Sequence, residues 1–73
     1  MSTPLNPSHT SSLVLSLVVN GHNTDLTHVI EVTGCTIYAL KDALPLLKAY
    51  MFKCGSKVEC IKLIELTKAI WSA

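Results

Sequence analysis

Cysteines and histidines are the residues of this 73-residue chain whose types could support metal binding or nucleophilic catalysis. They are Cys35, Cys54, Cys60, His9, His22 and His28. A zinc site built on cysteine normally begins with two cysteines separated by two to four residues, and no pair here has that spacing. Cys54 and Cys60 fit better as small hydrophobic residues at a helix end and on a helix face. We therefore predict no metal site.

A catalytic thiol would have to be Cys35, with His28 or His22 as its base. That chemistry needs a stabilised thiolate and a base within hydrogen-bond reach, and the spacing enforces neither condition. The carboxylates are scattered singly, which leaves no pair for general acid and base catalysis. The glycines are isolated at expected turns, so the sequence shows no phosphate-binding loop. We predict a protein without enzymatic activity and without a cofactor.

The basic residues are all lysine, and all six fall between residues 41 and 73. A concentration of lysines usually forms a solvated face that keeps an apolar protein soluble. Lys57, Lys62 and Lys68 could also contact nucleic-acid phosphates or an anionic membrane surface. The absence of arginine removes the side chain best suited to bidentate recognition of phosphate or guanine. The four aromatic residues are too scattered to form a base-stacking platform. Nucleic-acid binding is therefore our second hypothesis.

Composition favours binding to protein. Hydrophobic residues make up 49% of the chain and charged residues 15%, against a usual charged share of about 25%. A domain of this size buries only about 60% of the surface of its unfolded chain, so its core cannot hide this much apolar surface. We predict a non-catalytic interaction or assembly module, with an accessory or regulatory role, that forms a homodimer or higher oligomer and also binds another protein.

The odd number of cysteines is typical of a reduced, intracellular protein, which predicts a cytoplasmic location. The apolar run over residues 13–19 lacks the preceding basic residues and the cleavage site of a signal peptide. No run approaches the 18 or so apolar residues that a membrane span requires, so we predict no transmembrane segment.

The first half of the chain predicts a flexible tail and two strands. Residues 1–12 are polar and aperiodic, which is typical of a mobile segment. Apolar residues alternate over 13–19 and again over 26–33, and Asn20-Gly21 is a common turn signal between them. These patterns predict an antiparallel β-hairpin over residues 13–33. Residues 35–38 could form a third strand or the entry to a helix.

The second half predicts a helical hairpin over residues 38–71. Gly55 is expected to adopt the left-handed conformation that ends the first helix, and Ser56 with Glu59 forms a capping box that begins the second. Either Thr36 or Asp42 could cap the first helix, for which we favour a start between Tyr38 and Asp42. These elements define a single α+β domain over residues 13–73, of order β-β-α-α.

The second helix is apolar on more than one side, which indicates that it contacts two different surfaces. We expect the second contact to be another copy of the chain. The predicted interface residues are Val58, Ile61, Leu66 and Trp71.

Overall fold

The computed structural model describes residues 6–20 and 25–73. It contains the helices α1 (Pro7–Val19), α2 (Leu26–Thr33), α3 (Ile37–Asp42), α4 (Leu44–Met51) and α5 (Lys57–Ser72). No strand occurs within those described ranges. The predicted α+β fold, with its β-hairpin over residues 13–33, is therefore wrong. The predicted helical hairpin is present, with α4 and α5 as its two arms.

Helix α1 occupies the segment predicted as the first strand, and it begins at Pro7, inside the expected tail. Asn6 caps it, since its side-chain oxygen accepts a hydrogen bond of 2.8 Å from the Ser8 N–H, and Pro7 occupies the first turn, where no N–H is needed. Its buried residues recur at helical spacing: Thr10, Ser11, Val14, Leu17 and Val18. Two of these five are polar, so a search for apolar residues alone does not reveal the helical period. The apolar residues taken by themselves instead suggest the alternation of a strand. Residues 1–5 lie outside the described ranges.

Thr10 and Ser11 lie on the buried face of α1. The Ser11 hydroxyl donates a 2.9 Å hydrogen bond to the Ser8 carbonyl oxygen, which lets a polar side chain occupy this face. The Thr10 hydroxyl, in contrast, is fully buried and has no hydrogen-bond partner within the described residues. Burial of this face against other helices therefore outweighs the cost of one unsatisfied hydroxyl.

Helix α2 replaces the second predicted strand. Four of its five partly or fully buried residues, Leu26, Val29, Ile30 and Thr33, recur at intervals of three and four, which is the spacing of one helix face. Gly34 ends the helix in the left-handed conformation, with φ of 71°. The β-branched residues of this segment suggested a strand, but packing against the other helices overrides that weak local preference.

We expect Gly34→Ala to lower the free energy of unfolding by about 1 kcal/mol, because an L-residue with a side chain is strained at positive φ. Gly55 is the matched control. Contrary to the sequence-based expectation, it has no positive φ, and a Cβ added there would meet no atom within 4 Å. Gly55→Ala should therefore be neutral or stabilising by up to about 1 kcal/mol. Urea unfolding of the two variants checks the difference, and equal losses would contradict the assignment of the left-handed position.

Helices α3 and α4 form a single helical stretch interrupted at Ala43. Thr36 is the N-cap, since its hydroxyl oxygen accepts a 3.1 Å hydrogen bond from the Ala39 N–H, so α3 begins one residue before the range we favoured. Residues 37 and 38 thus belong to a helix and not to a third strand. Pro45 in the first turn of α4 lacks the N–H that would continue the helix from α3, which explains the interruption.

Helix α5 begins where the sequence predicts. The Ser56 hydroxyl oxygen accepts a hydrogen bond of 3.5 Å from the Glu59 N–H, the first half of the expected capping box. At its other end the Lys41 ammonium donates a 2.6 Å hydrogen bond to the Ala73 carbonyl oxygen. This bond connects the end of α5 to α3.

A single core joins the five helices, because α1 contacts each of the other four and α5 packs against α4. The core consists of Val14, Leu17, Val18, Val29, Cys35, Ala39, Leu40, Ala43, Leu44, Leu47, Leu63, Leu66 and Ile70.

A disulfide joins Cys54 and Cys60 across the turn between α4 and α5, with their Cα atoms 6.0 Å apart. That separation lies within the usual range for disulfides. Both sulfurs lie near the Met51 carbonyl oxygen, at 3.2 and 3.8 Å. Cys35 remains a free, buried thiol. The disulfide does not fit the reducing environment that the cysteine count predicts.

Candidate interaction surface

Three of the four predicted interface residues lie on the outer face of α5. Val58 is 60% exposed, Ile61 47% and Trp71 71%. Ile64 lies beside them and is also exposed. We call Val58, Ile61, Ile64 and Trp71 the outer face of α5. On a helix with 100° per residue, these side chains project within one half-turn of the circumference, opposite the buried residues Leu63 and Ile70.

The fourth predicted interface residue, Leu66, lies elsewhere. Its side chain is 2% exposed and packs in the core of the same chain. The apolar residues of α5 therefore divide between a buried face and an outer face. Leu66 belongs to the first and Ile61 to the second, although both were expected to contact a second copy.

The three lysines proposed to contact nucleic acid do not share one surface. Lys57 and Lys68 are exposed and project from the same side of α5, about three turns apart. Lys62 is partly buried and projects from the opposite edge of the exposed half of the helix. A continuous stripe of three ammonium groups along α5 is therefore not formed.

A shallow groove lies where α4 and α5 meet, and it adjoins the outer face. It has a volume of about 180 Å³ and is lined by Lys48, Thr67, Lys68 and Trp71. The Lys48 ammonium nitrogen lies 5.4 Å from the centroid of the Trp71 ring, within the range of a cation–π contact. The groove thus combines two cations with one aromatic ring.

Thr67 lines the groove as a nearly buried residue. Its hydroxyl donates a 2.9 Å hydrogen bond to the Ile64 carbonyl oxygen and also lies 4.0 Å from the Met51 sulfur. Because its hydrogen is engaged within α5, Thr67 offers no free donor to a ligand. Lys48 and Lys68 are then the cationic donors of the groove.

The groove could not be predicted from the sequence. Lys48 and Trp71 are 23 positions apart on different helices. Their proximity depends on the relative axial position of α4 and α5. The amphipathic pattern of each helix shows which side faces the other, but it does not fix their relative register. The helical projection placed Lys48 away from the apolar face of its helix, so it gave no signal for the groove.

The residues first considered for metal binding or catalysis are dispersed. Cys35 is buried, and its Sγ lies 4.0 Å from the Thr33 carbonyl oxygen. His28 is half-buried on α2, His9 is exposed on α1, and His22 lies outside the described residues. Over residues 6–20 and 25–73, no three His, Cys, Asp or Glu side chains are grouped so that they could hold a metal ion.

None of the helices in the described ranges has the length and the apolar character needed to cross a membrane.

Comparisons with protein-family models, with curated proteins and with solved structures find no match to this chain.

Proposed function

We propose that this protein is a non-catalytic interaction module that self-associates through the outer face of α5. The observation that supports this proposal is the exposure of Val58, Ile61, Ile64 and Trp71 on one side of a 16-residue helix. The buried residues of α5 already supply its contact with the rest of the chain. The outer face is therefore left largely exposed within the described fold.

The energetic reason is the hydrophobic effect. Fully burying a valine, leucine or isoleucine side chain is worth about 1.5–3 kcal/mol, and the four side chains of the outer face are between 36% and 71% exposed in the single chain. A two-fold dimer would bury the same face on both copies, so each contact would occur twice. Tryptophan is one of the residue types enriched among the positions that dominate binding energy in protein interfaces.

A substitution on the outer face tests the proposal. We expect the chain to sediment at micromolar concentration as a species of about twice its 7.9 kDa mass, and Ile61→Lys to shift it to the monomer. The reason is that a lysine ammonium placed against an apolar partner would have to be desolvated. Val32→Lys is the matched control, because Val32 is 55% exposed but lies on α2.

A monomer for the unmodified chain would contradict self-association. Dissociation by Val32→Lys as readily as by Ile61→Lys would place the interface elsewhere. The nucleic-acid hypothesis has a separate signature, since binding to phosphates weakens steeply with salt and with neutralisation of lysines. Self-association through apolar burial should change less steeply with salt, although Lys57 and Lys68 project from the same side of α5.

A further inference from the structure

We propose that the groove between α4 and α5 binds a carboxylate side chain presented by an acidic segment of a partner protein. This inference rests on the proposed role as an interaction module and names the chemistry of a partner other than a second copy. The groove lies beside the outer face of α5, and both share Trp71.

Charge is the first reason. Lys48 and Lys68 line the same groove, and neither forms an ion pair with a carboxylate within the described residues. Both ammonium groups border the same small groove, so an anion bound there would be attracted by each of them. A carboxylate accepts hydrogen bonds through two oxygens, so one group can serve both lysines.

The aromatic ring is the second reason. Trp71 holds the Lys48 ammonium near its face, at 5.4 Å from the ring centroid, which limits the positions that this flexible side chain visits. Less conformational freedom then remains to be lost when a ligand binds. The side of the ring that lines the groove also offers apolar contact to the methylene groups that carry a glutamate carboxylate.

Size is the third reason. The groove is open to solvent and has a volume of about 180 Å³. Pockets that enclose drug-sized ligands run from about 300 Å³ upward, so this groove suits one side chain and not a whole nucleotide. Recognition of phosphate also favours the bidentate arginine fork, whereas a carboxylate between two point charges does not require it.

Trp71 provides the measurement, because it is the only tryptophan of the chain. The probe is tetraglutamate with an acetylated amino end and an amidated carboxyl end. We expect it to change Trp71 fluorescence saturably and to bind several-fold more weakly when ionic strength is raised from about 0.01 M to 0.15 M, where screening is stronger. Blocked tetraglutamine should give no change. Equal binding of tetraglutamine would overturn the proposal.

Two variants locate the binding site. Lys48→Gln and Lys68→Gln should each weaken tetraglutamate binding about threefold to fivefold, since one exposed ion pair contributes up to about 1 kcal/mol. Lys57→Gln is the matched control, because Lys57 is an exposed lysine on α5 outside the groove. All three lysines are exposed, so the fold should persist in each variant, which circular dichroism can verify. Equal losses in the three variants would show a general charge effect and overturn the assignment.

Two further measurements separate the alternatives. Inorganic phosphate or a single-stranded oligonucleotide that binds more tightly than tetraglutamate would overturn the preference for carboxylate. Sedimentation of the same samples reports on self-association independently. If Ile61→Lys dissociates a dimer but tetraglutamate does not bind, the proposed function stands and the groove assignment fails.

Discussion

Leu66→Ala is expected to leave a large fraction of the molecules unfolded at 25 °C. Truncating a fully buried leucine typically costs 2–5 kcal/mol, through lost burial and the cavity left behind. Leu66 is 2% exposed, and a core of this size supplies only about 3–5 kcal/mol in total. One substitution can therefore remove most or all of the net stability. Urea unfolding followed by far-ultraviolet circular dichroism measures the loss.

Ile61→Ala is the control for that experiment. Ile61 occupies the same helix but is 47% exposed, so its truncation should cost the monomer less than about 1 kcal/mol. Measurement at protein concentrations below the dissociation constant keeps the dimer from adding to the difference. If the two variants lost the same stability, the division of α5 into a buried face and an outer face would be wrong.

Reduction of the disulfide between Cys54 and Cys60 is expected to lower the free energy of unfolding by roughly 2 kcal/mol. The disulfide closes a loop over residues 54–60, and the loop-entropy relation gives about that value for so short a loop. The effect acts on the unfolded chain, since the open turn between α4 and α5 gains conformations when the bond is broken. Thermal unfolding with and without a phosphine reductant measures it.

The Cys54→Ser/Cys60→Ser double variant is the control for reduction. It should unfold at about the temperature of the reduced chain and show no further response to reductant. A response in the double variant would assign the effect to another group, of which Cys35 is the remaining thiol. Identical melting of the oxidised and reduced unmodified chain would contradict a stabilising role for the bond.

The second half of the fold could be read from the sequence because its signals are local. Ser56 begins α5 as expected, and Pro45 interrupts the helix that starts near Ile37. The first half was misread for a physical reason. Six of the seven residues from Leu13 to Val19 are apolar, so the run matches a strand and a buried helix equally well. The residues that indicate a helix are the N-cap Asn6 and the polar residues Thr10 and Ser11 on the buried face.

The candidate surface could be predicted only in part. Helical periodicity showed that α5 carries apolar residues on more than one side, and Val58, Ile61 and Trp71 are indeed exposed. Leu66 was misplaced because a projection of one helix does not show where its neighbours lie. Predicting the groove at Lys48 would require the register between α4 and α5, which depends on the packing of the whole core.

The unsatisfied hydroxyl of Thr10 has an evolutionary consequence. A sequence under selection for maximal stability would carry an apolar side chain of similar shape at that position, because an unpaired buried hydroxyl costs on the order of 1–3 kcal/mol. Natural chains are kept above a stability threshold and not at an optimum. A substitution at Thr10 could therefore compensate for mutations that destabilise α5 while it adapts to new partners, and it would do so from a different helix than the one whose surface changes.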